Sequence, residues 1–138
     1  MPIEPEPLPL GRQVNVHDAV GGAAFFADLV DRFYDGVADD AVLRPLYPDD
    51  LEPSRRHLAL FLQQYWGGPT TYSDERGHPR LRMRHAPFVV GERERDAWLH
   101  HMLAALDSLV AERGTAPELA ARIRSHLVDA ADFLVNDR

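Results

Sequence analysis

The feature that most limits what this chain can fold into is a recurrence of apolar residues at helical spacing, with no strand-like alternation to compete. From Ala23 onward, Phe26, Val30, Phe33, Tyr34 and Val37 fall on one face of an amphipathic helix ending near Ala38. A second stripe, Ser54, Leu58, Phe61, Leu62 and Tyr65, follows Pro53, a residue suited to the first helical position. A third helix, from about Arg93 to Glu112, is expected to bury Trp98, Met102, Ala105, Leu106 and Leu109. The fourth carries Leu119, Ile123, Leu127, Ala131 and Leu134, behind Thr115-Ala-Pro-Glu118, whose spacing fits a capping box. The expected fold class is all-α, with four long helices and short ones between.

Glycine and proline set the breaks. Gly21-Gly22 ends a short helical turn that begins at Asn15, and 66-WGGP-69 stops the second long helix. Segments 42–50 and 70–79 read as turn and loop, and a short helix is expected over Leu81–His85, cut off by Pro87. Residues 1–14 hold four prolines and little periodicity, and read as a flexible tail ahead of one domain spanning 15–138. No run of apolar residues is long enough to cross a membrane, and the acidic N-terminus is unlike a signal peptide, so a cytoplasmic protein is expected.

Composition removes several chemistries. With no cysteine, thiolate metal sites, iron–sulfur clusters and covalently attached haem are excluded. A net charge of -7 argues against nucleic acid or anionic lipid as a partner. Every basic residue is arginine, so no lysine is available for Schiff-base chemistry. The histidines lack zinc-hydrolase spacing, and His100 and His101, being adjacent, point about 100° apart on a helix.

Two oddities remain. Large aromatics with polar tips, namely Tyr34, Tyr47, Tyr65, Trp66 and Trp98, lie on or beside the apolar stripes, and buried tips of this kind need partners. His85 closes the basic run 80-RLRMRH-85, where it serves either as an ordinary helix-end residue or as a ligand. One arrangement uses both features. A flat apolar macrocycle between helix 53–65 and the His85 segment would have its iron tied to one histidine, with tyrosine O–H and tryptophan N–H groups as donors to a bound diatomic.

The stretch 61-FLQQYWGGPTTYSDERGHPRLRMRHAPFVVGERERDAWL-99, together with Gly21-Gly22 and Gly67-Gly68, resembles the truncated haemoglobins of group II across residues 15–136. The resemblance implies a two-over-two helical sandwich enclosing one non-covalent haem b, with His85 as the iron ligand. It gives Tyr34, Tyr47 and Trp98 the task of hydrogen bonding to a distal ligand. Leu58, Phe61, Leu62, Leu81 and Phe88 become apolar cofactor contacts. Ser54 stands where vertebrate-type globins place a distal histidine. Relatives often carry arginine just before the Leu58 position; here it is His57, so propionate pairing is expected from His57, Arg84 or Arg82. His57 is also the candidate for an alternative iron ligand.

The implied function is binding of O2, NO, CO or peroxide. Slow release would suit NO-oxidising or peroxidase-like chemistry better than bulk O2 transport, because several hydrogen bonds must break before a ligand leaves. The alternative is a haem-based sensor or electron-transfer partner without turnover of its own. The sequence carries no reductase segment, so a separate reductase is expected; a homodimer is one of the family's states. A helical module without haem would need backbone partners for every buried Tyr and Trp tip.

Overall fold

The computed structural model describes residues 15–137, so the tail expected over 1–14 lies outside the described residues. Seven α-helices follow in order: α1 (Val16–Val20), α2 (Ala23–Ala38), α3 (Glu52–Tyr65), α4 (Thr71–Arg76), α5 (Leu81–His85), α6 (Glu92–Arg113) and α7 (Pro117–Phe133). A 3-10 turn over Arg44–Leu46 lies between α2 and α3. Among the described residues there is no strand. Helix α2 packs on α3 and on α6, and α6 packs on α7, giving two layers of two helices.

The core lies between α2, α6 and α7. Phe25, Phe26, Phe33, Leu29 and Val30 of α2 meet Met102, Leu106 and Leu109 of α6 and Ile123 and Leu127 of α7, all of them fully buried. Burying a large apolar side chain stabilises the fold by about 1.5–3 kcal/mol each, which holds this half together.

The two glycine pairs meet the same short helix. Asn15 caps α1 by accepting the Asp18 N–H at 3.1 Å, and its Nδ2 donates to the Gly67 carbonyl at 3.0 Å. The His17 N–H donates to the Trp66 carbonyl at 2.9 Å. A Cβ on Gly68 would strike the His17 ring, and Gly67 sits at φ 102°, so neither position tolerates a side chain freely.

Three expectations need correction. The 70–79 segment, read as loop, contains α4. Its weak local preference is overridden by tertiary bonds: Gln64 grips Ser73 at backbone and side chain (3.0 and 2.8 Å), Arg56 makes two bonds to Glu75, and Tyr72 is buried. The Thr115–Glu118 capping box does not form; Ala116 is the N-cap of α7, and the Thr115 N–H instead bonds to Val110 at the end of α6. Tyr65, placed on the buried stripe, is 47% exposed; on the last turn of α3 its ring lies on His126 of α7, centroids 3.8 Å apart.

Candidate functional site

Packing around Phe33 gathers three of the residues singled out in the sequence. The Phe33 ring lies 5.0 Å from Tyr34 and 5.4 Å from Trp98 of α6, and Tyr34 meets Tyr47 edge to face at 5.6 Å. Tyr34 is 3% exposed, while Tyr47 and Trp98 are half-buried against the core. The Tyr34 hydroxyl is influenced by Tyr47 and Ser54, and the Arg55 guanidinium lies 5.5 Å from its ring. Burial, reinforced by Tyr47, drives the Tyr34 phenol far above its ordinary pKa. Burial pushes Tyr47 up to about 12, with Tyr34 acting in the opposite direction. Both phenols therefore keep their protons near neutral pH and stay available as donors.

The turn that carries Tyr47 is fixed from α6. Asp40 accepts the N–H groups of Val42 and Leu43 at 2.7 and 2.9 Å, and His101 Nε2 lies 2.6 Å from its other oxygen. These bonds hold the Asp40 carboxyl below its usual range, the Leu43 bond most of all. Sequence reasoning missed Phe33 as the joint of the cluster, and it missed Arg55 and the His101–Asp40 pair. Only tertiary contact reveals them, since no local spacing links residues 61 positions apart.

Elsewhere, His85 ends α5. Its Nδ1 lies 2.7 Å from the Leu81 carbonyl, which can only accept, so Nδ1 carries a proton and Nε2 is the nitrogen whose lone pair the neutral ring offers. A metal-binding histidine is commonly oriented this way. Among the described residues, no cluster of three His, Cys, Asp or Glu could hold a bare metal ion. The α3 stripe has room for an apolar partner: only Leu62 is fully buried, while Leu58 and Phe61 are half-buried. A lone imidazole with an open nitrogen, and an apolar stripe only partly covered by protein, fit haem.

The remaining candidates scatter. His57 is half-buried, with Arg76 Nη1 3.3 Å from both ring nitrogens; burial first, then Arg76 and Arg56, lowers its pKa. Arg84 is fixed by bonds to the carbonyls of Pro79 and Arg76 and lies 5.9 Å from the Tyr72 ring, which in turn meets Phe61. Arg82 points elsewhere: it stacks on Phe133 at 4.1 Å and donates to the Phe133 carbonyl. Leu81 is half-buried, whereas Phe88 is 43% exposed in a groove of about 630 Å³ that Arg82, Ala86 and Val89 also line.

A two-over-two helical sandwich with one open imidazole and a half-covered apolar stripe defines a shortened haem protein of the globin type. A family model for bacterial-like globins matches residues 15–131. Group 2 truncated hemoglobin YjbI of Bacillus subtilis (strain 168) is 42% identical over 98 residues, covering 71% of this chain and 74% of its own length. The solved hemoglobin from the thermophilic phototrophic bacterium Chloroflexus aurantiacus is similar with a TM-score of 0.85 and 49% identity, covering 90% of this chain and 99% of that one. The truncated oxygen-avid haemoglobin from Bacillus subtilis gives a TM-score of 0.81 at 37% identity, over 89% and 100% of the two chains. The chain belongs to the bacterial-like globin family, and its likeness is to group II truncated haemoglobins. It is thus a haem-binding globin that takes haem b non-covalently and binds diatomic ligands such as O2. Among the described residues, no helix is long and apolar enough to cross a membrane.

Proposed function

We propose that this globin holds its ligand under several hydrogen-bond donors and releases it slowly, which suits oxidative chemistry on NO or peroxide better than bulk O2 delivery. The observation that carries this reading is the Tyr34–Tyr47–Trp98 cluster joined through Phe33. When bound, haem b supplies an iron with an open position for O2, NO, CO or peroxide and the valence changes that redox chemistry needs. His85 would hold it through Nε2. Leu58, Phe61 and Leu81, each only half-buried by protein, would exclude water from it, and His57 and Arg84 would pair with its propionates. Tyr34, Tyr47 and Trp98 donate to the distal ligand; the two phenols, protonated at working pH, do so without taking up charge. The oxygen-avid character of the Bacillus subtilis relative supports the same direction.

Each donor is worth about 1 kcal/mol, or roughly fivefold in release rate, so losing two should speed release by about thirtyfold. The test is stopped-flow O2 release from Tyr34→Phe, Trp98→Phe and the pair, with an absorption spectrum of His85→Gly alongside. Faster release in the pair and loss of the CO-responsive haem band in His85→Gly are expected. Unchanged release would defeat the donor assignment.

A further inference from the structure

The short helix α5 cannot hold itself in place. It has five residues, no side-chain cap, and an Arg80 N-cap in the left-handed region at φ 45°, whereas isolated helices need a dozen or more residues. The residues just beyond its C-terminal end are held by the segment after α7. Asn136 Oδ1 accepts the Val90 N–H at 2.9 Å, while Nδ2 donates to the Phe88 carbonyl at 3.0 Å and, at 3.4 Å, to the carbonyl of His85 itself. The backbone N–H groups of Asn136 and Asp137 both donate to the Val90 carbonyl, at 2.8 and 3.2 Å. One exposed side chain thus uses both ends of its amide on the backbone that leads away from the imidazole.

We propose that the Asn136 carboxamide is a positioning residue for His85, fixing the height and tilt of the ring through the carbonyls of residues 85 and 88. This rests on the reading of His85 as the iron ligand. The amide is suited to the task because it offers a donor and an acceptor side by side. Leucine or serine cannot supply both at that reach. Aspartate keeps the shape and the Val90 bond but aims a carboxylate oxygen at two carbonyl oxygens, so the bracket opens on the His85 side alone. Arg82, bonded to Phe133 at the end of α7, ties α5 to the same C-terminal stretch, while Asn136 holds the backbone that follows the imidazole.

The test compares haem-loaded full chains of wild type, Asn136→Asp, Asn136→Ala and the control Asp137→Asn. The reading is the iron–histidine stretching band in the resonance Raman spectrum of the reduced, ligand-free protein, together with haem transfer to an excess of scavenger apoglobin. Both Asn136 variants are expected to move the band while retaining wild-type helical content, and to transfer haem roughly tenfold faster, the low end of what outer partners of a metal ligand carry. Asp137→Asn is expected to match wild type. Faster transfer with an unmoved band would make the bracket purely structural and overturn the proposal, as would no change at all. A wild type lacking the band would instead defeat the His85 assignment, and this inference with it.

Discussion

All seven inward residues of α2, from Phe25 to Val37, are buried, whereas in α3 only Leu62 is, although both helices carry an apolar stripe of similar reach. The difference lies in what meets each stripe. Helix α2 faces the side chains of α6 and α7, which interdigitate with it as in a protein core. The α3 stripe receives Tyr72 of α4 on one flank, and the protein covers its other positions only in part. Periodicity tells which face turns inward and says nothing of whether protein or cofactor completes the contact. On the proposed reading, the dense half sets the donors and haem completes the contacts of the other.

The sharpest way to break this comparison is to truncate one ring in each half. Phe33→Ala should lower the unfolding free energy by about 3–5 kcal/mol, because a fully enclosed ring leaves a cavity. Phe61→Ala in the haem-free chain should cost only about 1–2 kcal/mol. Equal losses in denaturant melts would show that the two halves are packed alike.

Adding haem should act unevenly. At a thousandfold excess over its dissociation constant, a ligand that binds only the native state adds about 4 kcal/mol. Hydrogen exchange should place the gain in amide protection on α3 and α5 and leave α2 and α6 nearly unchanged. Uniform protection would remove the distinction.

A smaller effect is expected within the dense half. A Cβ on Gly36 would run into the His101 imidazole that anchors Asp40. Gly36→Ala should cost about 1–3 kcal/mol by overpacking, despite alanine's better helix propensity. Adding His101→Ala should remove most of that steric cost, and a double-mutant cycle measures it.

The smallest is a pH effect. Asp40 has a folded pKa below its unfolded value, so its contribution is present above about pH 4 and is lost as pH falls through the folded value. Asp40→Asn should be less stable than wild type at neutral pH and lose less on acidification, as read from melts between about pH 6 and 3. An unchanged acid slope would mean that the turn carrying Tyr47 is not held by this carboxylate.

What the sequence made legible follows the same division. The stripes of α2, α6 and α7 were readable because each is answered by another stripe of the same chain. His85 was readable as an oddity because Pro87 ends its helix, and its role came from resemblance rather than from spacing. Helix α4 was not legible, since six residues with little preference of their own are held by Gln64 and Arg56 on a neighbouring helix. Asn136 gave no signal at all: an asparagine after a helix reads as punctuation until its amide is seen against residues 46–51 positions earlier. Tyr65 misled because a stripe extrapolated to the last turn of a helix ignores that the last turn has fewer neighbours.

The contact between α1 and the Gly67-Gly68 turn bears on the order of folding. The Asn15–Gly67 bond joins residues 52 apart and closes a loop that includes α2 and α3, whereas α6 and α7 are joined by only a short turn. Closing the larger loop costs more chain entropy, and its reward comes only when the backbone at both glycines is bare enough to let Asn15 and His17 approach. The helical hairpin of α6 and α7 is therefore the natural nucleus, and the seam at residues 15–17 and 66–68 a late event. A side chain at Gly68 would act mainly by letting the finished protein reopen there, speeding unfolding while leaving the rate of folding nearly untouched.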